Sequence, residues 1–217
     1  MHSHTIQEAA RLAEASYKRK RKAHRKVRED AHDILNKKDV QAFYMKNGVL
    51  LIPGSNSLMD YVRYNLRVLR IGATKYKMSD DTTEDDTKGI TWHQGFLAHA
   101  KIIQQWMEEE HEIPKFIIGH SLGAAATQIL CKAWKVPGIA FAAPRPRKYQ
   151  DSSDFCLCIN RHDDLVTELP TNFHHMGKVV KCKPRFSLFR SKHPMKHYRT
   201  AVTEHQKLGL LAKSWPS

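Results

Sequence analysis

The run Gly119-His120-Ser121-Leu122-Gly123 constrains this chain more than any other feature. An apolar stretch, Phe116 to Ile118, leads into it, and small residues, Ala124 to Ala126, open a segment that reads as helix to about Lys135. A G-x-S-x-G between strand and helix is the pattern of a sharp turn that lifts one serine above the end of a sheet. The spacing has a steric cause. A Cβ at either glycine would press on the neighbouring strand or helix, and the serine at the tip is held in a strained backbone conformation. Such a turn points the N–H of Leu122 and the helix N-terminus at whatever Ser121 attacks. The pentapeptide also arises by chance, and the three alanines suit any buried helix. The flanking strand and helix favour the chemical reading.

The remainder of the chain is read for what surrounds such a turn. Its 217 residues predict one domain, residues 1–217, large enough for a real core. It contains no apolar run of about 18 residues, and its N-terminus lacks an apolar signal core, which predicts a cytoplasmic protein without a membrane span. Cys131, Cys156, Cys158 and Cys182 show no disulfide spacing and read as reduced. Cys156 and Cys158 would point to one face of a strand, with His174, His175 and Cys182 the conceivable partners for a metal. A structural role is favoured there, so no metal and no cofactor is expected. The net charge of +14 is the unusual number, and it attracts polyanions, nucleic acid or anionic lipid headgroups.

Residues 1–36 read as a basic helical segment. Ile6, Ala9, Ala10, Ala13 and Tyr17 recur at helical spacing, and Ala31, Ile34 and Leu35 are expected to resume the apolar face. Between them, eight of the eleven residues from Lys18 to Arg28 are Lys or Arg. A solvated face explains this run, and so does peripheral contact with an anionic membrane. Nucleic acid is disfavoured, because no aromatic residues interleave to stack on bases. Val40–Lys46 and Val49–Pro53 read as strands joined at Asn47-Gly48, the strongest short hairpin signal. Leu58, Tyr61, Val62 and Leu66 mark a short amphipathic helix, and 79–88 a polar loop. Phe96 to about Glu110 reads as helix. Further strands are expected at 138–143, 154–160 and 178–183, and a last helix from Met195 to about Leu211. Apolar strands alternating with helices imply an α/β fold: a mostly parallel central sheet with helices on both faces, its early hairpin antiparallel.

A serine hydroxyl needs a base, and the base an orienting carboxylate. In hydrolases with this turn the chain order is Ser, then Asp or Glu, then His. Asp163 and Asp164 follow the 154–160 strand, and His193 and His197 follow the 178–183 strand. Spacing alone leaves both choices open, and either group could merely cap a turn.

Several separated pieces together resemble the class 3 lipases, the fungal triacylglycerol-lipase type of α/β-hydrolase, in a short form. Ile52-Pro-Gly-Ser55 with Asp60-Tyr61 and Asn65-Leu66 is similar to that family's "F-R-G-T/S … D-W … n-L". His93-Gln-Gly-Phe96 is similar to "H-x-G-F", and Phe141-Ala-Ala-Pro-Arg145 to "F-G-x-P-R". Asp164-Leu-Val-Thr-Glu-Leu-Pro170 resembles "D-x-V-P-x-L-P", His175-Met-Gly177 "H-x-G", and His193 with Tyr198 the closing "H-S-x-x-x-Y". The resemblance spans about residues 8–205. It implies Ser121, Asp164 and His193 as catalytic triad, with Ser55 and Leu122 donating to the oxyanion. It also implies a lid within residues 55–66 bearing Leu58, Tyr61 and Val62, and a pocket lined or supported by His93 and Phe96. The departures are Pro53 for Arg, Thr167 for Pro and Ala142 for Gly. The implied activity is hydrolysis of lipid acyl esters by a lipase, phospholipase or carboxylesterase without cofactor. A lipid acyltransferase with the same residues, and an idle hydrolase fold binding nucleic acid, are the alternatives.

Overall fold

Every position of the strands Phe116–His120 and Cys156–Arg161 is buried, so both faces of the sheet that holds them are covered. The computed structural model describes residues 3–17, 22–54, 68–71, 74–77, 83–85, 90–150, 154–183 and 193–216. The chain begins with β1 (His4–Thr5), α1 (Ile6–Ala15), α2 (Lys22–Asp30), β2 (Ala31–Lys37), β3 (Val40–Met45) and β4 (Val49–Ile52). Short strands β5 (Val68–Ile71), β6 (Thr74–Lys77), β7 (Thr83–Asp85) and β8 (Thr91–His93) precede α3 (Gln94–Glu110). Then follow β9 (Phe116–His120), α4 (Leu122–Trp134), β10 (Gly138–Phe141) and β11 (Cys156–Arg161). A 3-10 turn (Leu165–Glu168), β12 (Lys178–Cys182), α5 (Met195–Lys207) and β13 (Ser214–Trp215) complete the chain.

The central sheet has seven strands in the order β12-β11-β10-β9-β4-β3-β2. From β4 to β12 the neighbours run parallel, and β3 and β2 add an antiparallel edge. Strand alternation sends successive side chains to two cores. Leu50, Ile52, Ile117 and Ala140 meet α3 and α4 on one face. Val49, Leu51, Phe116, Ile118 and Ile139 meet α1, α2 and α5 on the other. The expected α/β architecture is therefore the observed one.

Two local signals have clear physical causes. At Asn47-Gly48 the chain reverses with Gly48 at φ 83°, a left-handed value that suits glycine, and pairs Phe43 with Leu51. The N-cap Thr5 accepts from Glu8 N–H at 3.2 Å and starts α1, whose Ile6, Ala9, Ala10 and Ala13 are buried as their spacing implies.

The expectation that residues 31–36 continue the helical segment is corrected. Ala31–Lys37 is an edge strand paired with β3. Its turn is Lys38-Asp39, both at positive φ (51° and 65°), a two-residue reversal made without glycine. Polar side chains along β2 suit an edge that must not recruit another strand. Within the loop expected at 79–88, Thr83–Asp85 pairs antiparallel with β8. The helix expected around Leu58, Tyr61, Val62 and Leu66 lies outside the described residues. No helix among those described is long and apolar enough to cross a membrane.

Candidate active site

The site begins at the turn between β9 and α4. Ser121 has φ 60° and ψ −121°, a conformation that costs a non-glycine residue about 1–3 kcal/mol and persists only where the surroundings enforce it. The enforcement is packing. A Cβ on Gly119 would lie 2.2 Å from Thr127 Oγ1, and one on Gly123 2.1 Å from Ile52 O. Ser121 N–H donates to Phe141 O at 2.9 Å, tying the turn to β10. Leu122 is the first helical residue, so its N–H has no carbonyl within the helix to meet.

Ser121 Oγ lies 2.5 Å from His193 Nε2, and His193 Nδ1 lies 2.8 Å from Asp164 Oδ2. All three residues are at most 4% exposed. They come from the ends of β9 and β11 and from the start of α5, at the carboxyl edge of the parallel strands, where loops of an open α/β sheet meet. Asp164 Oδ2 also accepts from Tyr198 OH at 2.7 Å, and Oδ1 from Val166 N–H at 3.2 Å. Burial is the largest influence on this carboxyl and opposes its ionisation. His193 and the hydroxyl and N–H donors more than offset burial, so the group stays below the usual carboxylate range.

The neighbouring candidates are separated by their partners. Asp163 is engaged by Arg161, whose Nε and Nη2 donate to its two oxygens at 3.0 Å each. His197 lies in the first turn of α5, with its carbonyl accepting from Arg161 Nη1 at 3.3 Å. Asp164 and His193 are thus the pair that the backbone brings to Ser121.

Other expected residues fall as follows. His93 caps α3, its Nδ1 accepting from Phe96 N–H at 3.3 Å, and its ring packs on Phe96 at 4.2 Å. Both are buried, so each supports the wall of α3 by packing. Ser55, Leu58, Tyr61 and Val62 lie outside the described residues. Gly54 is described, and its backbone sits against the site: a Cβ there would lie 2.9 Å from Ser121 Cβ. Two departures from the family pattern are accommodated. Ala142 takes φ 51° where the family has glycine, and Thr167 donates its hydroxyl to Asp164 O at 2.8 Å.

Several residues of the site were not singled out as site residues by sequence reasoning. Tyr198 holds the acid. Asn160, fully buried, grips both backbone groups of Ala143, at 2.8 Å and 3.2 Å. Gln128 bridges Pro144 O and Met176 N–H, both at 2.9 Å. Buried amides of this kind are a sequence signal, since they demand partners. The four cysteines are unpaired thiols. Cys156 and Cys158 share one core, whereas Cys182 lies in the other, so these thiols do not converge on one metal. Donor atoms do converge at Asp33, Glu110 and His111, at the C-terminal end of α3, where Asp33 already accepts from His111 and Trp106.

No family model matches this chain, and no curated protein matches it in sequence. Solved structures do match in three dimensions. A mutant form of MDLA from Penicillium cyclopium aligns with TM-score 0.57 at 14% identity, covering 87% of this chain and 82% of that one. The native Rhizomucor miehei lipase propeptide complex gives 0.51 at 16%, covering 83% and 70%. A deletion mutant of that complex gives 0.53 at 15%, covering 90% and 76%. At such identities the likeness defines the fold: this chain has the lipase-like α/β-hydrolase fold.

Proposed function

We propose that the protein is a serine ester hydrolase acting on lipid acyl esters. The observation that carries this reading is the row Ser121–His193–Asp164, closed by hydrogen bonds of 2.5 Å and 2.8 Å and set on a strained turn. Ser121 Oγ attacks the ester carbonyl while His193 Nε2 takes its proton. Asp164 fixes the imidazole with Nδ1–H towards it and stabilises the imidazolium. Leu122 N–H, with Ser55 as its expected partner, meets the oxyanion, and each such donor contributes roughly 3 kcal/mol to the transition state. The tetrahedral species collapses by breaking the acyl C–O bond, and His193 returns the proton to the departing alcohol. Water, deprotonated by His193, then cleaves the acyl-enzyme and releases the carboxylic acid. No step calls for a metal or cofactor.

Lipid as the substrate class is supported by two of the three matching structures, both of Rhizomucor miehei lipase. Lys22, Arg25, Lys26 and Arg28 are exposed on α2, and these cations suit an anionic bilayer surface. A phospholipid at such a surface is the finer reading. The test is a fluorophosphonate probe with the wild-type chain and Ser121→Ala. Label on Ser121 alone, and an ester-hydrolysis rate lowered on the order of a thousandfold or more in the variant, support the proposal. An unlabelled wild-type chain that cleaves no ester defeats it.

A further inference from the structure

Three hydrogen bonds run beside the row just described and take no part in it. Gly54 N–H donates to the Tyr17 hydroxyl oxygen. The Tyr17 hydroxyl lies 2.7 Å from His120 Nδ1, and His120 Nε2 lies 3.0 Å from the carbonyl oxygen of His193. The chain of bonds is polar, and its ends fix its direction. An amide N–H can only donate and a carbonyl oxygen can only accept. Nε2 of His120 must therefore carry the proton, Nδ1 must be the acceptor, and the Tyr17 hydroxyl must donate to Nδ1 while accepting from Gly54. One arrangement satisfies every group.

We propose that Tyr17 and His120 form a positioning bridge, tying the backbone at Gly54, beside Ser121, to the backbone of His193. This rests on the hydrolase reading of the site. The two anchored backbones are those whose placement matters most there. Gly54 packs on Ser121 and leads into the expected oxyanion residue, and His193 carries the base. His120 is 2% exposed, and its ring lies 5.1 Å from the ring of His193 and 6.0 Å from that of Tyr198. The charged and titratable groups facing it are His193, Asp164 and the two tyrosines. Burial first, and the charge of His193 next, push His120 down to about 3, so it keeps the neutral form that the bridge needs. Neither side chain hydrogen-bonds to Ser121 Oγ or to the His193 ring, so neither is assigned a catalytic role.

The bridge predicts a pattern that a merely structural contact would not produce. Tyr17→Phe leaves Gly54 N–H and His120 Nδ1 unpaired together, and a displacement near 1 Å at a reacting group costs roughly a hundredfold. We expect kcat on a short soluble ester to fall by about ten- to a hundredfold with KM within about twofold. His120→Leu should fall as far. His120→Gln, which keeps a donor and an acceptor, should recover most of the loss. The double variant Tyr17→Phe/His120→Leu should be no worse than either single variant, since both break one unit. Losses that multiply in the double variant, or a Tyr17→Phe enzyme with wild-type kcat, overturn the proposal. A second readout needs no activity. Nitrogen-15 NMR of the full chain between pH 6 and 8 should show His120 protonated at Nε2 and not at Nδ1, and Gly54 amide exchange should accelerate in Tyr17→Phe. The opposite tautomer, or unchanged exchange, overturns the bridge even in a chain that cleaves no ester. Failure of the fluorophosphonate label alone would instead count against the hydrolase reading.

Discussion

Replacing His99 by leucine should flatten the acid side of this protein's stability curve. His99 lies on α3, 1% exposed, and among the described residues neither of its ring nitrogens has a hydrogen-bond partner. Burial alone pushes it from 6.5 down to about 3. His120 is pushed to about 3 as well, by burial and then by His193. The unfolded chain binds a proton at each ring that the folded chain refuses. Stability is therefore undiminished above pH 6.5 and is lost as pH falls from there towards 3. Inside that window each ring costs about 1.4 kcal/mol per pH unit, so from pH 7 to pH 5 each costs about 2 kcal/mol. Together they remove about 4 kcal/mol, a large share of the ~5–15 kcal/mol that holds a domain folded. Asp164 acts with the same sign, but only as pH falls below the ordinary carboxylate range, outside this interval. His175, also held down by burial, weakens wild type and variant alike. Urea unfolding at pH 7, 6 and 5 measures the effect. The wild-type chain should lose about 2 kcal/mol more stability across that interval than His99→Leu. Parallel losses in the two chains would refute the assignment of this acid sensitivity to a ring that burial keeps neutral.

The remaining predictions concern the site and its supports. Asp164→Asn should lower kcat by about 10³–10⁴, because the imidazolium loses its counter-charge and the ring its tautomer. Asp163→Asn should leave kcat within a few-fold and show its effect in the unfolding midpoint, since Asp163 pairs with Arg161. Gly123→Ala should cost at least about 2 kcal/mol or prevent folding, because the new Cβ would meet Ile52 O at 2.1 Å and Ile52 C at 2.7 Å. Rates on vesicles containing anionic phospholipid should exceed those on zwitterionic vesicles, and the difference should shrink at high salt. Equal rates at both salt levels would remove the case for the cationic face of α2.

What could be read in advance follows from how local each cause is. The Ser121 turn and the Asn47-Gly48 hairpin are set by glycines whose need is steric and nearby, and both stand where the sequence puts them. The β2 strand was missed because its turn is Lys38-Asp39: two non-glycine residues at positive φ give no composition signal, and the strand's partner, β3, decides the matter instead. His93 shows a cause hidden in plain spacing. His93 and Phe96 stand three apart, the separation at which an N-cap side chain meets a backbone N–H, and imidazole Nδ1 accepts where Ser or Asp usually does. Asp163 and Asp164 could not be separated by order along the chain, because the discriminating partner, Arg161, acts through a side-chain fork that only the folded backbone aims. Tyr17 and His120 lie 103 residues apart, and each alone reads as an ordinary core or motif residue. Their meaning comes from the donor-only and acceptor-only groups at the two ends of the row they join. A sequence states which groups can donate and accept. Only the fold states which of them share a proton, and at this site the candidate base is held both by the acid on its ring and by a neutral histidine on its carbonyl.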